Sequence, residues 1–314
     1  MDILRKFIKL SKGFDAGKDV ITEVYYEDIK SLNLALDNAE KMTKISDDAF
    51  RNEVSKIFYN PKDIDIPDDP FSVEYSNKQF ELYEEITGKS YSSFFEKTPF
   101  EFNHEIKQPY PYGTKSTNTV GDALIGYGYI IKNLPIMPNS RVLEVGSGYG
   151  TLSVHLAPMN VDLTCIDIDR RLLDFVAHRV ANFNHRSVFV ESDIHDFQAE
   201  KKFDIVVFYE SFHHCYDHLK VMKKVGDLLA DDGVVVFAAE PIMETTNITL
   251  PYPWGLRMDG LSLRCIRNFG WFELGFTKSY FFSMLDNLGW SYEERGIPGY
   301  PYTHMVMAKK NLSH

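Results

Sequence analysis

The feature that most constrains this chain is an apolar run followed at once by three closely spaced glycines. Residues 142–145 form the run, and Gly146, Gly148 and Gly150 follow it. Such a run predicts a buried strand of a parallel sheet, and a helical pattern resumes from 151 to about 159. Strand, glycine turn and helix are typical of a nucleotide site, because glycines allow close backbone approach and a helix N-terminus presents N–H groups.

The glycine spacing and a preceding acid indicate which ligand is bound. In the dinucleotide fingerprint G-x-G-x-x-G the third glycine stands one position later, where this chain has Thr151. Glu144 would repel a pyrophosphate, but it can hold a cationic ligand directly or through water. S-adenosylmethionine (SAM) carries an ammonium and a sulfonium.

Residues 144–150 resemble motif I of the class I SAM-dependent methyltransferases, and the alternative is a glycine turn of another α/β protein. The resemblance implies SAM as the cofactor. It places these side chains and backbone groups around SAM: Glu144, Gly146, Ser147, Gly148 and Gly150.

A regular alternation of strand and helix patterns follows the motif and predicts a parallel, doubly wound sheet. The predicted strands are 142–145, 162–166, 187–190, 203–208, 234–239 and about 304–309, with helices at about 120–132, 170–184, 216–230 and 277–288. The resemblance implies the Rossmann-like, seven-stranded methyltransferase sheet, ending in an antiparallel strand.

The first part of the chain is charged and largely helical in pattern. We predict an N-terminal α-helical extension over residues 1–118 and the methyltransferase domain over 119–314. An acidic, proline-rich stretch at 61–70 is a predicted linker. Tyr112, in a turn-rich segment before motif I, is a candidate acceptor contact at a partial lid; the alternative is an ordinary surface turn.

Acids that follow two predicted strands are candidates for the nucleoside. Asp167 ends the second strand, where a carboxylate can accept hydrogen bonds from both ribose hydroxyls, with Asp169 as the alternative. The resemblance implies that Asp193 contacts the adenine amine and that Ile168 and Ile194 flank the ring. A helix N-cap is the alternative role for Asp193.

The segment that ends at His214 resembles motif IV of the same family. Because ligands lie at the carboxyl ends of such strands, Tyr209 and Glu210 are predicted near the cofactor. Methylation of an alcohol needs proton removal, and His213 or His214 titrates in a suitable range. The alternative is that the pair is structural, and Glu240 is the next catalytic candidate.

A basic and aromatic segment, 252–271, follows the fifth strand of an otherwise acidic chain. It predicts an acceptor pocket from Trp254, Arg257, Arg264 and Arg267, because arginine binds phosphate or carboxylate as a planar fork. The alternative is that the arginines pair with the protein's own carboxylates and the tryptophans are core. This segment resembles uncharacterised methyltransferases encoded beside glycosyltransferases for surface polysaccharides, which implies a sugar acceptor in polysaccharide biosynthesis.

Net charge and composition limit the classes of partner that the sequence predicts. A net charge of -11 argues against nucleic acid binding, and no apolar run approaches the ~20 residues of a membrane span. The start of the chain lacks the apolar core of a signal peptide. Three separated cysteines, Cys165, Cys215 and Cys265, fit neither a disulfide framework nor a zinc cluster. We therefore predict a cytoplasmic protein without a metal, and the oligomeric state stays open.

The sequence thus predicts a SAM-dependent methyltransferase that acts on an oxygen of a small polar acceptor, such as an anionic sugar or a sugar nucleotide. Two alternatives stay open. One is an NAD-dependent oxidoreductase, which Glu144 and the early third glycine disfavour. The other is a non-catalytic SAM-binding protein.

Overall fold

A computed structural model describes residues 23–61, 65–97, 99–108, 114–183 and 186–311. Its α-helices are α1 (Ile29–Lys41), α2 (Asp47–Val54), α3 (Val73–Thr87), α4 (Phe102–Glu105), α5 (Thr117–Asn133), α6 (Ser153–Leu156), α7 (Arg170–Val180), α8 (His218–Leu228), α9 (Gly260–Phe269) and α10 (Lys278–Asn287). Its strands are β1 (Val24–Tyr26), β2 (Ile57–Tyr59), β3 (Arg141–Val145), β4 (Asp162–Asp167), β5 (Val188–Glu191), β6 (Phe203–Tyr209), β7 (Leu229–Ala238), β8 (Ile242–Met243), β9 (Trp254–Leu256), β10 (Leu274–Thr277), β11 (Trp290–Ile297) and β12 (Tyr300–Lys310).

The largest sheet has seven strands in the order β11-β12-β7-β6-β3-β4-β5. The five strands from β3 to β7 are parallel to their neighbours among themselves, whereas β12 is antiparallel to both β7 and β11. Chain order reverses at β3, since β4 and β5 lie on one side of it and β6 and β7 on the other. Ligands of such sheets bind at the carboxyl ends beside this switch point, between β3 and β6.

The central strands are buried on both faces, which explains their unbroken apolar sequences. Four of the five residues of β3 and six of the seven of β6 are buried. Val142 on β3 and Val207 on β6 belong to one core cluster with Val236 on β7. Packing on both faces fixes these strands and therefore the positions of the loops at their carboxyl ends.

The chain forms two compact units. The first contains the described residues within 23–96, 115–118 and 241–281, and the second those within 97–114, 119–240 and 282–311. The predicted division between 118 and 119 differs from these units, because residues 241–281 pack with the N-terminal region.

The first unit contains strands as well as the predicted helices. β1 and β2 form a parallel pair, and β9 and β8 flank β10 in a three-stranded sheet. Buried side chains of α3 hold β9 in place: the Tyr75 hydroxyl donates to the Trp254 carbonyl at 2.7 Å, and Gln79 accepts from the Leu256 N–H at 3.0 Å. Such long-range contacts leave no period-2 or period-3.6 pattern in the sequence.

The structure confirms the predicted α/β class with its seven-stranded sheet, and it changes several element bounds. The helix after the glycines covers only Ser153–Leu156. Residues 231–233, between the predicted helix and the predicted strand, lie inside β7, which begins at Leu229 beside Phe203. Within the described ranges, every helix is too short or too polar to cross a lipid bilayer.

Candidate cofactor and methyl-transfer site

Two glycines of the turn at the end of β3 differ in the space around them. Gly146 and Gly148 have φ angles of 67° and 49°, in the left-handed region that favours glycine. A Cβ atom added at Gly146 would lie 2.8 Å from Ser211 Cβ, whereas one added at Gly148 would meet no described atom within 4 Å. The protein itself fills the space beside Gly146, and the backbone at Gly148 faces open space that a ligand can occupy. Gly150 is also left-handed, with a φ of 69°.

Ser147 and Glu144 meet different surroundings beside this turn. The Ser147 side chain is only 5% exposed, and its hydroxyl has no hydrogen-bond partner in the part of the chain that the structure describes. Glu144 is buried and accepts from the Ser153 hydroxyl at 2.5 Å, with Cys165 Sγ 3.8 Å away. Burial raises the pKa of Glu144 to about 7. Ser147 therefore has hydrogen-bonding capacity to offer a ligand, while Glu144 braces the start of α6.

Asp167 ends β4 with its carboxylate turned toward the glycine turn. One oxygen accepts from the Gly148 N–H and the other from the Asp169 N–H, both at 2.9 Å. Each oxygen keeps a second lone pair, so the carboxylate can also accept from a ribose. Burial raises the pKa of Asp167. Asp169, the alternative, instead caps α7 and pairs with Arg171 at 2.5 Å.

Asp193 follows β5 and shapes the turn after it. Its Oδ1 accepts from the His195 N–H at 2.9 Å, and its carbonyl accepts from the Phe197 N–H at 3.0 Å. These bonds belong to a turn and not to a helix, so Asp193 is not the helix N-cap that was the alternative, and its other carboxylate oxygen still permits an adenine contact. Ile194 is buried and Ile168 half-buried, each beside the acid that precedes it.

The carboxyl ends of β6 and β7 carry two strained residues. Glu210 and Ala239 have φ angles of 48° and 55°, which are unusual for residues other than glycine. Tyr209 is almost buried and packs edge-on against Tyr127 of α5, with ring centroids 5.6 Å apart. Glu210 is exposed. Strain of this kind clusters at functional sites, where surrounding structure maintains it.

His213 and Glu240 form a buried pair across the same two strand ends. His213 Nδ1 lies 2.7 Å from Glu240 Oε2, and both side chains are less than 10% exposed. Glu240 also accepts from three backbone N–H groups, those of Ser211 (2.8 Å), Phe212 (2.8 Å) and His213 (3.1 Å). Burial alone would raise the pKa of Glu240, but His213 and these donors outweigh it and hold the pKa below its usual value.

This geometry distinguishes the two histidines. A carboxylate at Nδ1 fixes the ring orientation of His213 and directs its Nδ1 proton, so Nε2 is the basic nitrogen of the neutral ring. His214 is half-buried, with its ring centroid 4.3 Å from that of His213. The Glu240 contact thus favours His213 over His214 as the base.

The predicted acceptor residues lie in the first unit, except Tyr112, which is outside the described residues. Arg257 pairs with Glu273, Arg264 with Glu40 at 2.5 Å, and Arg267 with Asp37 at 2.9 Å. Trp254 is 3% exposed, and its Nε1 donates to the Pro70 carbonyl at 2.7 Å. These contacts favour the alternative that the arginines balance the protein's own carboxylates and that Trp254 is core.

Sequence reasoning did not identify Ser153 and Ser211. Ser153 is the partner of Glu144, and the Ser211 hydroxyl donates to the Val145 carbonyl at 2.7 Å. Ser211 follows the end of β6 by two residues and stands at the N-cap position of a short 3₁₀ turn, but its hydroxyl partner, Val145, is distant in sequence. Only the neighbouring carboxyl ends of β3 and β6 bring that partner within reach.

Comparisons with known proteins agree with this geometry. The family described as a methyltransferase domain matches residues 143–235, from β3 to β7. The chain carries a class I SAM-dependent methyltransferase domain. The cofactor of this domain is SAM, as the sequence predicts, and Gly148, Ser147 and Asp167 fit it through an open backbone position, an unused hydroxyl and free acceptor capacity.

Relatives of the methyltransferase domain match it over a limited length. Nodulation protein S of Rhizobium tropici is 33% identical over 105 residues, which are 32% of this chain and 44% of that protein. A ubiquinone biosynthesis O-methyltransferase of Actinobacillus pleuropneumoniae serotype 5b is 32% identical over 105 residues, 31% of this chain and 44% of that protein. The chain thus spans less than half the length of these two relatives. The structure of the glycopeptide N-methyltransferase MtfA has a TM-score of 0.43 and 14% identity, over 60% of this chain and 88% of that one. This last similarity is too low to bear on function or fold.

Proposed function

We propose that this protein is an enzyme that transfers the methyl group of SAM to an oxygen atom of a small polar acceptor. The observation that carries the proposal is the buried His213–Glu240 pair at the carboxyl ends of β6 and β7, beside the switch point of the sheet. A base is needed when a hydroxyl is methylated, and a histidine oriented by a carboxylate is a suitable one. The similarity to an O-methyltransferase of ubiquinone biosynthesis supports oxygen as the methylated atom.

The acceptor that we propose is a sugar or a sugar nucleotide. Its support is the resemblance of the segment 252–271 to methyltransferases encoded beside glycosyltransferases. The arginines of this segment do not add to that support, because each pairs with an acidic side chain of the protein.

The residues near the switch point have separable tasks in this proposal. When bound, SAM supplies an electrophilic methyl group on a sulfonium. Asp167 holds the ribose, while the Gly148 backbone and the Ser147 hydroxyl line the rest of the cofactor site. Fixing the cofactor in this way turns a bimolecular encounter into a positioned displacement.

His213 handles the proton of the acceptor. SAM bound at this site would give its methyl group to the acceptor oxygen, which would lose its proton at the same time. The hydroxyl proton moves to Nε2 of His213, while the Nδ1 proton stays directed at Glu240. The carboxylate of Glu240 stabilises the imidazolium that results.

The first test measures cofactor binding by calorimetry. SAM, its demethylated product and NAD are each titrated separately into the protein. We expect micromolar or tighter binding of SAM. Binding of NAD without SAM would overturn the proposal.

The second test is transfer from labelled SAM into an extract of nucleotide-activated sugars. His213→Ala should lower the transfer rate by ~10²–10⁴-fold with SAM affinity nearly unchanged. His214→Ala is the matched control, because the Glu240 contact belongs to His213. A rate that is independent of pH between about 6 and 9 would argue against a base.

A further inference from the structure

In the loop after β6, Glu240 and not Ser211 accepts the hydrogen bonds of the backbone N–H groups. Ser211 stands at the N-cap position of the short 3₁₀ turn Phe212–His214, yet its side chain makes no capping bond. The Glu240 carboxylate receives the N–H groups of Ser211 and Phe212 instead, both at 2.8 Å. Because Glu240 accepts from these N–H groups, the Ser211 hydroxyl can form a hydrogen bond with another part of the chain.

That partner belongs to the cofactor turn. The Ser211 hydroxyl donates to the carbonyl of Val145, the last residue of β3, at 2.7 Å. The next residue is Gly146, where an added Cβ would lie 2.8 Å from Ser211 Cβ. Ser211 therefore contacts the cofactor turn in two ways, by a hydrogen bond and by close packing that only glycine permits.

We propose that Ser211 is a positioning residue that couples the glycine turn of the cofactor site to the His213–Glu240 pair. The route is short: Val145 and Gly146 contact Ser211, the Ser211 N–H donates to Glu240, and Glu240 holds His213. It crosses the switch point between β3 and β6, the only neighbouring pair of parallel strands in the described sheet that lies where chain order reverses. Phe212 strengthens the connection, because it is fully buried against Phe237 with ring centroids 4.7 Å apart.

The coupling has a consequence for catalysis that rests on the proposed function. If a bound cofactor orders the glycine turn, the same contacts order the ring of His213. The base would then be in position when the methyl donor is bound. A tight, hydrogen-bonded route of this kind transmits small displacements, because packed interiors have little free volume to absorb them.

The first test needs no ligand, so its failure is distinct from a failure of the proposed function. The ring resonances of His213 are followed by NMR in protein labelled at histidine, with assignment by His213→Gln. Gly146→Ala places a methyl group against Ser211, whereas Gly148→Ala is the matched control, with the same left-handed backbone but open space around the methyl group. We expect a clear shift of the His213 resonances in Gly146→Ala and a smaller one in Gly148→Ala. Equal shifts in the two variants, or none in Gly146→Ala, would overturn the coupling.

Two variants of Ser211 keep the proposal testable if Gly146→Ala fails to fold. Ser211→Ala removes the bond to the Val145 carbonyl and should shift the His213 resonances, while Ser211→Thr keeps the hydroxyl and should restore them toward the wild-type position. Titration with S-adenosylhomocysteine then reads the coupling directly. The ligand-induced shift at His213 should be smaller in Ser211→Ala than in the wild type at saturation. Unchanged His213 resonances in Ser211→Ala, or an undiminished ligand-induced shift, would refute the assignment of Ser211.

Discussion

Replacing Glu240 by glutamine is the most informative single change, since it keeps the shape of the side chain and removes its charge. The carboxylate receives four hydrogen bonds, from three backbone N–H groups and from His213 Nδ1. The oxygen of a glutamine can still accept from Ser211 and Phe212. The amide nitrogen of the glutamine takes the place of Oε2. The backbone N–H of His213 then loses its acceptor, and the amide group donates to Nδ1 of the His213 ring.

The magnitude follows from these contacts. An unsatisfied buried donor costs about 1–3 kcal/mol, and the loss of charge-assisted hydrogen bonds adds about 1 kcal/mol. We therefore expect Glu240→Gln to lower the free energy of unfolding by about 2–4 kcal/mol at pH 7. A donating amide at Nδ1 also moves the ring proton to Nε2, so the proposed base is blocked and methyl transfer should fall by ~10²–10⁴-fold.

The assay is urea denaturation followed by circular dichroism, at pH 7 and at stepwise lower pH. The pKa of folded Glu240 lies below its usual 4.5, so its contribution to stability is complete above pH 4.5 and is lost as the pH falls through the lowered value. The difference between wild type and variant should shrink over that acidic range. Glu210→Gln is the control, because this exposed glutamate should change stability by less than about 0.5 kcal/mol. A loss below about 1 kcal/mol for Glu240→Gln, or a difference that does not depend on pH, would refute the reasoning.

Three further predictions test other contacts. Asp167→Ala should weaken SAM binding in calorimetry by about 1–3 kcal/mol, because ribose hydroxyls lose a buried acceptor; Asp169→Ala, which removes a helix cap, should lower the melting temperature with little effect on affinity. Burial raises the pKa of folded Glu144 to about 7, so the stability of the wild type should fall as the pH rises from about 4.5 to 7. In urea denaturation at pH 8, Glu144→Gln should therefore be more stable than the wild type by about 2–3 kcal/mol. A variant that is less stable than the wild type at pH 8 would contradict this. Arg257→Met should lower the free energy of unfolding by about 3–5 kcal/mol, because it leaves the buried carboxylate partner without its cation, whereas Arg267→Met, whose partner is exposed, should cost about 0–1 kcal/mol in the same assay.

The sequence alone determined the features that depend on local pattern. An unbroken apolar run is typical of a strand that is buried on both faces of a parallel sheet, so β3, β4 and β6 could be predicted to within a residue, whereas β7 begins five residues before its predicted start. The glycines at 146, 148 and 150 permit a left-handed turn, and the structure has positive φ at all three. The resemblance of residues 144–150 to motif I implies SAM as the cofactor, and Glu144 and the early third glycine disfavour a dinucleotide.

Tertiary structure decided the partners, since these depend on which strand ends become neighbours. Nothing in the local sequence indicates that Glu144 meets Ser153, or that Arg264 and Arg267 meet acids of the N-terminal region. Charge balance in the first unit and the switch point in the second are properties of the folded chain. His213 and Glu240 were both candidates from their positions after strands, but only the adjacency of β6 and β7 makes them a pair. A carboxylate 2.7 Å from a ring nitrogen fixes which nitrogen carries the proton, and that is information no single stretch of sequence contains.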